Sequence, residues 1–134
     1  MTNFTSKEMS DLLYTDLADI KDDGTNKTDV VLQTPTTKSK FPCRVIDTPL
    51  ESVISSNNAE PIVKGFQVTI EHWAGTPREC MEMSAKTDTV LMTRNFVRTT
   101  TVQSMFDEIT KKYRLLATYE NKFYAVDNSF QVTR

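Results

Sequence analysis

Glycine is scarce. The 134 residues contain three, Gly24, Gly65 and Gly75, none close to another. A loop that wraps phosphate with its backbone needs several glycines close together, so Walker and dinucleotide-binding loops are excluded. Histidine is scarcer still. His72 stands alone, which excludes zinc sites built on two or three histidines, H-E-x-x-H among them. Cys43 and Cys80 are far apart in sequence, and a pair of buried, reduced thiols in a cytosolic protein is expected. No apolar run is long enough to span a membrane. Met1 to Ile20 lacks the basic start and apolar stretch of a signal peptide. Basic excess is absent too: the net charge of −2 does not advertise nucleic-acid binding.

What charge there is lies unevenly. Residues 1–23 carry six acids against Lys7 and Lys21, a balance of −4; the other residues hold 12 acids and 14 bases, a balance of +2. The acidic segment is either a solvated helix face or a surface for a basic partner. The length suits one domain spanning residues 1–134, with enough chain for a core without staples.

Hydrophobic spacing then orders the elements. Thr5 to about Asp22 reads as a helix, with Thr5 and Glu8 as a capping box and Met9, Leu12, Leu13, Leu17 and Ile20 as the buried stripe. Asp11, Asp19 and Asp22 fall off that stripe and should face water, and Gly24 is the expected stop. Phe41 to Asp47 is a strand with Cys43 and Val45 on one face and Arg44 and Ile46 on the other. Ile62 to Trp73 alternates cleanly, with Phe66, Val68 and Ile70 opposite Gln67, Thr69 and Glu71, and should pair antiparallel with it. Thr76 caps a second helix reaching about Arg94, with Pro77 at its first position, Glu79 three residues past the cap and Asn95 at its stop. Its inner stripe is Cys80, Met83, Thr87, Val90 and Leu91. Phe96–Phe106 and Tyr113–Val126 read as a hairpin, with a helix over Val102–Lys112 as the competing choice. The expected fold is α+β: a mostly antiparallel four-stranded sheet with two helices packed on one face, in the order α-β-β-α-β-β. Exposed loops are expected at about 33–40 and 48–61, with a short tail at 128–134; Leu50, Val53 and Ile54 in the second loop hint at a short helical turn or strand edge.

Chemistry is thin. His72 at a strand end and Cys80 in the next helix's first turn are conceivable as a nucleophile pair, but both lie on packing faces. Asp47 and Glu71 could approach across paired strands, yet the lysine that metal-assisted hydrolysis would want is missing at the following positions. Neither a catalytic residue, a cofactor site nor a metal site is expected.

Several stretches resemble the tail-terminator, or tail-to-head joining, proteins of long-tailed bacteriophages infecting Gram-positive hosts. They are Phe41-Pro42-Cys43-Arg44-Val45, Gly65 through Trp73, Thr76-Pro77, Asn95-Phe96-Val97-Arg98, and Thr110-Lys111-Lys112-Tyr113-Arg114 leading into Ala117-Thr118-Tyr119-Glu120. The resemblance runs from the first helix to Val126 and favours the hairpin. It implies no enzymatic activity and no cofactor. The implied role is a subunit of a hexameric ring that caps the tail tube, stops its growth and docks the head connector. The chain would be assembled in the host cytoplasm and would work at the head–tail interface of the virion. Its partners would be other copies of itself, the tail tube protein, a head-completion or connector protein, and DNA crossing the lumen without sequence-specific binding; no membrane is implied. Partner contacts are expected at Thr36, Thr37, Lys38, Ser39 and Lys40, and at Ser55, Ser56, Asn57 and Asn58. Other head–tail connector or head-completion proteins are an alternative, as is a small enzyme or ligand-binding domain using the His72/Cys80 region.

Overall fold

Strand β4, Glu60–Ala74, is the longest element. In the computed structural model it pairs with three other strands. The structure describes the backbone of residues 6–22, 27–32, 35–36, 39–47, 49–57 and 60–124, and the side chains of these except 6, 51–64, 101–103 and 122–124. The described elements run α1 (Ser6–Leu17), β1 (Asp29–Val31), β2 (Cys43–Ile46), β3 (Leu50–Asn57), β4, α2 (Pro77–Met92), β5 (Val97–Asp107) and β6 (Lys112–Tyr124). The fold is α+β with two helices and a mixed six-stranded sheet, so the expected four strands are corrected to six.

The two additional strands explain the miscount. β1 is three residues long and pairs parallel with β2; so short a run carries no measurable periodicity. β3 occupies much of the stretch expected as a loop at 48–61, and it is where Leu50, Val53 and Ile54 fall. It pairs antiparallel with β4 on the same edge that β2 uses. From Ile46 to Leu50 the chain takes four steps, while their partners Ile70 and Gln67 are three apart. β2 and β3 are therefore two halves of one strand course, offset by one residue at Asp47–Pro49. That offset, and the polar composition of β3, hid the strand from an alternation test.

The other edge of β4 is covered by β6 from Val63 to Ala74, and β5 flanks β6. The 97–124 region is thus the hairpin and not the helix. Lys111 turns it with φ 58°. β6 continues through Glu120 and Asn121 without a break.

Burial sorts the faces. Phe66, Val68 and Ile70 of β4, Leu115, Ala117 and Tyr119 of β6, and Ile46 of β2 form one core with Met9, Leu13 and Leu17 of α1 and Cys80, Met83 and Leu91 of α2. Both helices therefore pack on one sheet face. Burying each such side chain contributes about 1.5–3 kcal/mol. The opposite face holds a smaller cluster of Cys43, Val45 and Trp73, with Val31 and Phe41 against it.

The second helix begins and ends as its sequence indicates. Thr76 Oγ1 accepts from Glu79 N–H at 3.2 Å. At the other end Asn95 takes φ 62°, and Phe96 N–H reaches Leu91 O at 3.1 Å while Asn95 N–H reaches Met92 O at 2.9 Å. That is the Schellman pattern. The first helix is shorter than expected and stops at Leu17. The chain then bends so that Ile20 returns to the core and Asp22 reaches the sheet. Thr5, Gly24 and the tail at 128–134 lie outside the described residues.

Candidate functional site

Arg44 is a fully buried cation, 0 % exposed. Alternation aims it from β2 at the helices, beside its cross-strand neighbour His72. Its guanidinium clamps Asp22 with two prongs: Nη1 to Oδ2 at 2.7 Å and Nη2 to Oδ1 at 2.9 Å. Nη2 also donates to Met83 O at 2.9 Å, and Nε donates to Thr87 Oγ1 at 2.8 Å. Asp22 accepts from Thr28 Oγ1 as well. Burial alone would push the Asp22 carboxyl up. The bonds from Arg44 and Thr28 and the charges of Arg44 and Lys86 outweigh it and hold Asp22 below the usual range. Asp22 is thus no solvated acid. Its partner lies 22 residues on, beyond any helical periodicity.

His72 is also buried, and both its nitrogens are committed. Nδ1 lies 3.2 Å from Leu115 O, which can only accept, so Nδ1 carries the proton. Nε2 then accepts from the Thr87 hydroxyl at 2.8 Å. Burial first, and Arg44's charge second, pull the imidazole down to about 3. A ring that stays neutral is a poor general base near pH 7. Cys80 lies against the backbone carbonyls of His72 and Tyr113, each 3.4 Å from Sγ, and burial pushes its thiol up to about 11. The Cys80 thiol reaches the backbone carbonyl of His72 and not its ring, and a protonated thiol facing carbonyls and a ring facing Thr87 do not form a Cys–His couple.

On the helix-free face the antiparallel register does bring Glu71 and Asp47 near each other, Asp47 lying opposite Thr69 with its N–H on Thr69 O at 3.0 Å, and burial first and Asp47 second raise Glu71 to about 7. Trp73 Nε1 donates to Glu71 Oε1 at 3.0 Å, and Arg114 Nη1 stands 3.9 Å away. The Arg114 guanidinium lies over the Trp73 ring at 5.7 Å, and Phe41 meets the same ring with centroids 6.3 Å apart. Among the described residues no three His, Cys, Asp or Glu side chains gather to hold a metal ion, and no helix is long and apolar enough to cross a membrane.

The expected contact residues divide. Thr36 and Ser39 are joined by two bonds, Ser39 N–H to Thr36 O at 3.0 Å and Thr36 N–H to Ser39 Oγ at 2.8 Å. Thr36 and Lys40 are exposed. Lys40 borders a cleft of about 450 Å³ shared with Phe41, Pro42, Thr28 and Met83. Ser55, Ser56 and Asn57 lie on β3, not in a loop. Thr37, Lys38 and Asn58 lie outside the described residues. The acidic segment is largely engaged within the chain: besides Asp22, Asp16 accepts from Arg94 Nε at 2.9 Å and Asp19 from Lys27 at 3.0 Å.

Sequence reasoning missed the sheet edges. The strand order is β1-β2-β4-β6-β5, with β3 on β4 alone. Among the described residues, β5 and β3 each pair on one side only. Exposed apolar side chains lie along them: Val97, Met105 and Phe106 on β5 and Leu50 at the start of β3. The β5 stretch Val97–Asp107 contains no proline and no lysine, two devices that ordinarily blunt a free edge. It is interrupted at Arg98/Thr100 and Val102/Met105, where Thr99, Gln103 and Ser104 have no register partner on β6, although the Thr99 hydroxyl donates to Thr118 O at 3.4 Å. A groove of about 570 Å³ runs between α2 and β5, lined by Pro77, Met81, Asp88, Arg98 and Leu115. No protein-family model matches the chain, and no curated protein is significantly similar to it.

Proposed function

We propose that this chain is a structural joining protein of a long-tailed phage. Six copies close into a ring on the finished tail tube, stop its growth and offer a docking surface to the head connector. One observation carries the reading: among the described residues, β3 and β5 each leave one side unpaired at opposite ends of the β3-β4-β6-β5 run, and the two strands run in opposite senses. β3 is antiparallel to β4, β4 to β6 and β6 to β5. The β5 edge of one copy can therefore accept the β3 edge of the next as another antiparallel strand. Head-to-tail contacts of this heterologous kind generate rings when the rotation closes, and the apolar side chains beside both edges are what such a contact would cover.

In that arrangement the helix-free face turns to the lumen. Its exposed and half-buried residues include Gln67, Thr69, Thr100, Thr118 and Glu120. Among the described residues its cations, Arg114 and Lys112, lie over the Trp73 and Phe41 rings, an arrangement that suits DNA passing without being held. The acidic first helix is a weaker candidate for the ring contact, because Asp16 and Asp22 already have partners in their own chain.

The test mixes the purified chain with tails lacking it and DNA-filled heads, and counts joined particles by electron microscopy. Joining is expected; tube ends left bare and heads left unattached would sink the reading. Thr99→Pro probes the edge, since Thr99 has no register partner on β6 and only its hydroxyl reaches that strand, at Thr118 O. It should abolish ring formation while leaving the far-ultraviolet circular dichroism unchanged.

A further inference from the structure

Ile109 is the most exposed large apolar side chain among the described residues, 75 % exposed. The turn between β5 and β6 is built to hold it there. Asp107 Oδ2 accepts from the backbone N–H and from the hydroxyl of Thr110, each at 2.8 Å, and Lys111 N–H reaches Asp107 O at 2.9 Å. None of these bonds uses the Ile109 side chain. Phe106, half exposed at the foot of the turn, meets the Tyr113 ring edge-on with centroids 5.1 Å apart. An apolar knob fixed in advance loses little freedom on docking. The same chain carries a hole. A cleft of about 450 Å³ opens between α2 and the segments leading into β1 and β2, with Phe41, Pro42 and Met83 as its apolar part. Clefts that take small molecules hold about 300–1,000 Å³, so there is room for one isoleucine side chain. The rim is acid-rich: Asp29, Glu79 and Glu82 stand against Lys27 and Lys40, and Asp22 is already taken by Arg44.

Register puts knob and hole at one end of the sheet. Asp29 is level with Cys43, Cys43 with Trp73, and the next residue, Ala74, with Tyr113 beside the turn. Strand order puts them on opposite flanks, because β1 is outermost on one side and β5 on the other. Four strand spacings of about 4.8 Å lie between those strands, so the turn of one copy can reach the cleft only of another. We propose that the β5–β6 turn of each copy inserts Ile109 into the cleft beside β1 of the next copy. This rests on the ring reading, in which the β5 flank of one copy faces the β3 flank of its neighbour; β2 and β1 continue that flank toward the Trp73 end of β4. Ile109 would cover the surface of Phe41, Pro42 and Met83. Lys111, 3.3 Å from the exposed Glu108, would lie against the neighbour's acid-rich rim. Two different patches meeting in this way are what a head-to-tail contact requires.

Photo-crosslinking of the full chain tests it. Benzophenone maleimide is attached through Ile109→Cys, since Cys43 and Cys80 are buried. The labelled chain is mixed with isotopically heavy, unlabelled chain, both alone at high concentration and on tails lacking the protein, then irradiated and digested for mass spectrometry. Adducts to heavy peptides that carry Asp29 or Phe41–Pro42 are expected. Ile109→Asp, which leaves the bonds of the turn in place, should raise the amount of chain needed to join half of the tails at least about tenfold, and Ile109→Leu should restore most of the loss. If wild type joins tails but its adducts map to other segments, or if Ile109→Asp joins as well as wild type, this contact is overturned and the ring reading stands. If wild type joins no tails, the ring reading falls, and the adducts formed in solution decide the contact. No adduct between copies in either preparation would overturn it.

Discussion

Arg44 and Asp22 meet in a two-pronged ion pair that ties the segment after α1 to the middle of the sheet, with Arg44 fully buried and the Asp22 side chain 10 % exposed. Removing one partner leaves a buried charge uncompensated, which costs more than the pair itself is worth.

Asp22→Ala should therefore destabilise the chain by about 3–5 kcal/mol, read as a lowered urea midpoint at unchanged slope. The double replacement Asp22→Leu with Arg44→Met, which buries no charge, should lose less than Asp22→Ala alone. A double variant weaker than the single one would remove this account of the clamp.

Stability against pH should show two buried groups working in opposite directions. Glu71 is raised from 4.5 to about 7, so the stability it contributes is full below about pH 4.5 and lost as pH rises to about 7. His72 is lowered from 6.5 to about 3. The unfolded chain takes up its proton first, so His72 costs stability as pH falls below 6.5. Between about pH 4.5 and 6.5 the two offset. Glu71→Gln should uncover the His72 slope: stability rising with pH by up to about 1.4 kcal/mol per unit in that window, measured by urea titration at stepped pH. A variant profile parallel to wild type would contradict the pairing.

Both thiols should be inert in the native state. Burial raises Cys43 to about 12 and Cys80 to about 11. At pH 8 this cuts the thiolate of Cys80 roughly 100-fold against a free cysteine, before access is counted. A thiol-reactive dye should label neither until urea unfolds the chain.

Thr76→Ala should cost about 1 kcal/mol through loss of the side-chain bond to Glu79 N–H. Thr76→Asn or Thr76→Ser should restore most of it, which thermal melts can resolve.

Much of the frame was legible before any coordinates. Alternation set the two faces of β4, and the sequence Thr76-Pro77 with Glu79 marked where α2 starts. Asn95 marked where it stops, because few side chains tolerate φ > 0. The face assignment of Arg44 was legible too, but not its burial. A lone arginine on a strand reads as exposed until its carboxylate is found, and that carboxylate had been assigned to water. Ser55, Ser56 and Asn57 read as loop because β3 is polar and offset in register.

The sequence by itself determined the local elements: the half-buried strand, the capped helix and the α+β class, all of which follow from periodicity and from a few residues with special backbone demands. Only the tertiary structure decided which polar groups are partners and which strand edges are left open. The Asp22–Arg44 pair comes from how the segment after α1 packs on the sheet, and the nearness of Glu71 to Asp47 and the free sides of β3 and β5 are products of strand register. A pairing across distant segments leaves no periodic trace in the chain that makes it.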